Sequence, residues 1–126
     1  TSWKGSKQPR KQRKYLYNAP LHLRGDFLTA HLSKELKAKH HLRKVRVKVG
    51  DKVKVMIGKF KGTEGKVETV NLKKGTVKMT GVDVSKKDGS KAKVPIHASN
   101  LLLVELNTDD KLRLPQKESK QPKERE

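Results

Sequence analysis

Valine and lysine alternate through the middle of the chain. Val45, Val47 and Val49 are separated by Arg46 and Lys48, and Val53, Val55 and Ile57 by Lys54 and Met56. A period of two sets one side of an extended segment against a core and the other in water, so both runs are predicted half-buried strands. Further strands are expected at 64–71, 76–82, 91–96 and 101–106, with "GKFKGTEG", "LKKG" and "KKDGS" as turns between them. Several short strands divided by glycine-bearing turns predict a mainly β domain, a small barrel or sandwich. Upstream, Ser33 stands as a helix N-cap, with Glu35 in the first turn and Leu32, Leu36 and Ala38 on a weak apolar stripe. A short helix is therefore predicted near 34–41. Residues 1–31 carry neither period and are punctuated by Gly5, Pro9, Pro20 and Gly25, which predicts an extended arm without fixed structure in isolation.

This patterning divides the 126 residues into a basic arm with a short helix (1–44), a small β domain (45–106) and a charged tail (107–126). A domain of that size buries only ~60% of the surface its unfolded chain exposes, so it is marginal alone. The tail, "TDDKLRLPQKESKQPKERE", is poor in apolar residues and holds Pro115 and Pro122. It is expected to be disordered and to add little to the fold or to binding.

Composition then narrows the partner. Lys plus Arg is 32 against 13 Asp plus Glu, a formal charge of +19, while hydrophobic residues make up only 32%. Such a field attracts polyanions, nucleic acid first and an anionic membrane surface second. Residues 1–44 hold 12 basic and 2 acidic side chains, whereas 105–126 hold 6 of each, so the polyanion should meet the arm and the first half of the domain. No run approaches a membrane span, the longest apolar block being "LLLV" at 101–104. No secretory signal is evident at the start, and the expected location is cytoplasmic.

Catalytic readings fare poorly. Cysteine is absent, which removes thiolate metal sites and cysteine nucleophiles. The histidines have no ligand-like spacing, His40 and His41 being adjacent, and Asp109 and Asp110 lie in a polar setting. A phosphate-binding loop would need glycine where Phe60 stands and a hydroxyl where Val67 stands. No catalytic residue, metal or cofactor is predicted, and the chain is not expected to be an enzyme.

"GDKVKVMIGKFKGTEGKVETV" resembles the KOW motif, a strand–turn–strand element of SH3-like barrels in ribosomal and transcription proteins. The matching positions are Gly50, Asp51, Val53, Val55, Gly58, Lys61, Gly62, Gly65, Val67 and Val70. Glycine permits positive φ and close backbone approach, so Gly50, Gly58, Gly62 and Gly65 are the expected turn positions. The flanks "PRKQRKYLYNAPLHLR", "LSKELKAKH" and "PIHASNLLLVEL" extend the resemblance over residues 7–106, to the archaeal and eukaryotic family of large-subunit ribosomal protein twenty-four, twenty-six in older eukaryotic naming. Departures are "HHLRKVRVK" at 40–48, where an aromatic or glycine is expected after the helix, and Ala98, where proline is common.

The resemblance implies an SH3-like barrel and a structural RNA-binding role without catalysis. The implied partners are large-subunit rRNA, chiefly its 5′ region, and neighbouring ribosomal proteins near the polypeptide exit tunnel. Candidate phosphate contacts are Lys7, Arg10, Lys11, Arg13, Lys14 and Arg24 in the arm, and Lys59 and Lys61 in the KOW loop. Tyr15 and Tyr17 suit either stacking on unpaired bases or anchoring the arm to the barrel. Phe60, between the loop lysines, reads as a stacking or tunnel-rim residue, and His97 as part of a turn against RNA or the barrel. Two rival readings are a KOW transcription elongation factor, which needs a globular domain before the barrel, and a docking platform for nascent-chain or targeting factors at the tunnel exit. A membrane-active peptide is the weakest, since no amphipathic helix of useful length is evident.

Overall fold

The computed structural model describes residues 5–114, so Trp3 and the far end of the expected tail lie outside the described residues. The expected extended arm is helical. Helix α1 runs Pro9–Asn18 and α2 Leu21–Phe27. Pro9 opens α1, where a missing N–H is harmless, and Arg10 to Lys14 are all strong helix formers. Pro20 holds Ala19 extended at φ −62 and ψ 134 and so ends the helix. Two prolines that read as punctuation of a loose chain are a start and a stop. Since α1 buries no residue, no apolar period announces it.

Strand β1, Thr29–Leu32, also lies inside the supposed arm, with Ala30 and Leu32 buried and His31 exposed. Helix α3, Lys34–His40, forms where expected: the Ser33 hydroxyl accepts from the Leu36 N–H at 3.4 Å. His41 ends it in the left-handed region at φ 54, its N–H donating to the Lys37 carbonyl, a position that glycine usually fills.

The remaining strands are β2 (Lys44–Arg46), β3 (Lys52–Val55), β4 (Glu64–Asn71), β5 (Thr76–Met79), β6 (Asp83–Ser85), β7 (Lys91–Lys93), β8 (Ile96–His97) and β9 (Leu101–Glu105). Seven of them form one sheet in the order β2-β1-β9-β3-β4-β5-β8, and β6 pairs with β7 separately. The β1–β9 pair is parallel and the others are antiparallel. The two valine alternations stop early, leaving Val49 and Ile57 exposed beyond the strand ends. The expected strand at 91–96 is divided at Pro95, which has no N–H for a ladder, into strands of different sheets.

Strands β2 and β8 end the sheet and do not pair with each other, so backbone hydrogen bonds do not close it. Even so, Val45 of β2 and Ile96 of β8 belong to one buried cluster with Leu28, Leu32, Met79 and Leu103. The sheet therefore folds over its apolar face, helped by register irregularities at Lys52/Val53 and Val67/Thr69 that increase the local twist.

Beyond β9 the chain stays on the sheet. Arg113 pairs with buried Asp51 and also donates to the carbonyls of Asn107 and Arg46, both at 2.9 Å. Asp51 accepts further from the Lys48 N–H at 3.0 Å and the Asn107 N–H at 2.8 Å. The expectation that the tail adds little to the fold is thus corrected for residues 107–114, because a buried carboxylate recruits a guanidinium from them.

Candidate nucleic-acid interface

At about 100° per residue, Arg13, Tyr17, Arg10, Lys14 and Lys11 of α1 fall on one arc of roughly 160°. All five side chains are exposed. Among the described residues, none of Lys7, Arg10, Lys11, Arg13 and Lys14 forms a salt bridge. Outside this arc, Gln12 and Tyr15 of α1 are half-buried. Tyr15 meets Phe27 edge-on, ring centres 6.4 Å apart, and Gln12 Nε2 donates to the Ser6 carbonyl at 3.1 Å. Tyr15 therefore anchors the helix, while Tyr17 is 73% exposed. Lys7, Lys11 and Lys14 also line an open depression shared with Gln8 and Asn18.

Arg24 behaves differently from the other cations. Its guanidinium donates to three carbonyls: Ala19 at 2.9 Å, Tyr17 at 2.5 Å and Lys73 at 2.6 Å. It clasps the α1–α2 corner to the β4–β5 turn instead of presenting its charge outward. That turn carries Lys73 and Lys74, both exposed, and the Lys74 N–H donates to Asn71 Oδ1 at 3.2 Å. In sequence "LKKG" reads only as a turn; two adjacent cations at a hairpin tip are the available signal for a further contact. His97 lies at the same end, opposite Thr76 on β5. Its Nδ1 is 2.8 Å from the Ser99 hydroxyl oxygen and accepts from the Ser99 N–H, capping the short helical turn Ala98–Asn100.

Lys59 and Lys61 are exposed in the β3–β4 loop, at the other end of β4 from this group. The eight residues of β4, at about 3.3 Å each, hold the two ends roughly 25 Å apart. The structure therefore gathers α1, the β4–β5 turn and His97 at one end and leaves the KOW-loop lysines at the other. Phe60 is half-buried against the core, with Lys59 Nζ 5.9 Å from its ring centre, which corrects the expectation of a stacking ring at the loop tip. Gly50, Gly58 and Gly62 have positive φ, and the Gly62 N–H closes the loop onto the Val55 carbonyl at 2.8 Å. Gly65 serves by close approach: an added Cβ would press on the Thr80 carbonyl and lie 2.6 Å from its hydroxyl oxygen.

Among the described residues no three His, Asp or Glu side chains come together to hold a metal ion, and no helix is long and apolar enough to cross a membrane.

A sequence model of one family, described as the ribosomal proteins called L26 in eukaryotes and L24 in archaea, matches residues 6–120. Proteins named large ribosomal subunit protein uL24 are similar to this chain. They are 52% identical in Methanosphaera stadtmanae, 49% in Methanosarcina barkeri and 51% in Methanoculleus marisnigri, each over 108 residues. These matches span 86% of this chain and 92%, 93% and 89% of the three relatives.

Proposed function

The chain belongs to the family of eukaryotic L26 and archaeal L24 ribosomal proteins, and on that premise we propose that it is a structural constituent of the large ribosomal subunit that binds rRNA. The observation that carries this reading is the outer face of α1, where Arg10, Lys11, Arg13 and Lys14 are exposed with no acid on the helix. A preformed cationic face neutralises phosphates and releases their counterions, and having formed the helix beforehand lowers the ordering entropy of binding. The role is charge neutralisation and shape-fitting of folded RNA, without turnover.

By the family resemblance, the RNA is the 5′ region of large-subunit rRNA, bound during assembly in the cytoplasm beside neighbouring ribosomal proteins and close to the polypeptide exit tunnel. The same resemblance reads the folded-over sheet as an SH3-like barrel, and the single core filled from both sheet ends supports that.

The test is a salt series with a 5′ rRNA fragment, comparing the full chain with one lacking residues 1–14, which hold six cations. Each lost phosphate contact lowers the log–log slope by ~0.7 to 0.9. An unchanged slope overturns the reading of the arm.

A further inference from the structure

Tyr17 and Tyr15 sit two residues apart on α1, yet they have different surroundings. Tyr15 spends its ring on Phe27, whereas Tyr17 holds its ring outward at 73% exposure. Arg13 and Lys14 are four and three residues before it, so both lie beside the ring on the helix surface. Arg10 lies on the same arc one turn further back. The helix below is fixed, since Arg24 holds the Tyr17 carbonyl at 2.5 Å and the Ala19 carbonyl at 2.9 Å. A large exposed ring on a rigid support, bordered by cations and with no acid on its helix, suits a ligand offering a flat π-face and negative charge together. An unpaired nucleotide is that ligand. A base inside a duplex has both faces covered by its neighbours, and the duplex presents mainly phosphate and sugar to a protein surface.

We propose that Tyr17 is a stacking platform for an unpaired base of the bound RNA, with Arg13 and Lys14 taking the flanking phosphates. The proposal rests on the rRNA-binding reading above and names which part of the RNA α1 meets. A protein partner seated on the same patch would have to supply acids opposite three cations, and it would leave RNA affinity independent of the ring.

The experiment uses the full chain and its Tyr17→Leu and Tyr17→Phe variants. Each is titrated with the 5′ rRNA fragment, with single-stranded oligouridine and with an RNA duplex. Stacking on an aromatic ring contributes ~1–3 kcal/mol per base, so Tyr17→Leu is expected to weaken oligouridine binding by about 5- to 150-fold. Its salt slope should stay that of the parent, because no phosphate contact is lost. Tyr17→Phe keeps the affinity, duplex binding does not move, and all melting temperatures agree because the side chain is exposed. Parent-like oligouridine binding by Tyr17→Leu overturns the proposal, as does an equal loss on duplex. So does a chain that binds the fragment but not oligouridine. Absence of binding to the fragment itself sinks the rRNA reading, and with it this inference.

Discussion

Asp51 and Arg113 lie 62 residues apart in the chain and pair inside the protein, with side chains 0% and 2% exposed. Asp51 stands in the turn before β3 and Arg113 beyond β9, so the pair fastens residues 107–114 back onto the sheet. Removing one partner of a buried pair typically costs about 3–5 kcal/mol, because the other charge is left without compensation. Ending the chain at Leu106 removes Arg113 and also the Asn107 N–H from the Asp51 carboxylate. That truncation should lower the melting temperature markedly, whereas ending at Leu114 should not. Equal melting curves for the two truncations would show that the carboxylate finds replacement partners.

The β3–β4 loop gives a second stability test. Gly62 has φ +88, and Gly65 lets β4 approach Thr80, whose hydroxyl accepts from the Lys66 N–H at 3.0 Å. Valine at Gly62 meets the steric cost of the left-handed region, and valine at Gly65 meets the Thr80 carbonyl. Each substitution should destabilise the protein by roughly 1–3 kcal/mol, read by thermal or urea unfolding. Gly5, with nothing within 4 Å of an added Cβ and no positive φ, is the matched control and should tolerate alanine.

These outcomes bear on what the sequence makes legible. Strand β3 is visible because Val53 and Val55 alternate with lysines, β9 because "LLLV" is the longest apolar block, and β4 and β5 because glycine-bearing turns bound their short apolar-bearing runs. The Ser33 cap and the KOW glycines are visible because their chemistry is local. Helix α1 is hidden because it buries nothing and so has no apolar period, and β1 because its Leu32 reads equally well as part of the apolar stripe of α3. The Asp51–Arg113 pair depends on a contact that only the folded chain creates. The clasp of Arg24 is hidden likewise, since a cation bound to carbonyls reads in sequence like one awaiting a phosphate.

Acid provides a further test of residues 107–114. Asp110 pairs with Lys48 and accepts from the Leu112 N–H, and the Lys48 hydrogen bond is the main reason its carboxyl titrates below the ordinary value of 3.8. A depressed folded pKa means the contribution is present above the unfolded pKa and is lost as pH falls through the folded one. Carboxyl carbon shifts should therefore place the Asp110 midpoint below that of an unstructured peptide. Lys48→Met should move the midpoint upward, and no movement would mean that this pair does not form in solution.

Arg24 and Arg10 allow positioning cations to be separated from RNA-contacting ones. Both are arginines of the N-terminal segment, yet Arg24 binds three carbonyls while Arg10 is exposed on α1. Hydrogen bonds from a charged group contribute about 1.5–3 kcal/mol each, less where solvent competes. Arg24→Gln should thus lower the melting temperature and loosen α1 from the β4–β5 turn, detectable as faster amide exchange at Ala19 to Leu23. Arg10→Gln should leave the melting temperature unchanged and reduce the salt slope for the 5′ rRNA fragment by ~0.7 to 0.9. At high salt, where phosphate attraction is screened, the Arg10 variant should approach the parent's affinity, while the Arg24 variant should remain weaker because its helix is misplaced. If both variants change the slope alike and neither changes the melting curve, Arg24 contacts phosphate in the complex and the clasp opens on binding.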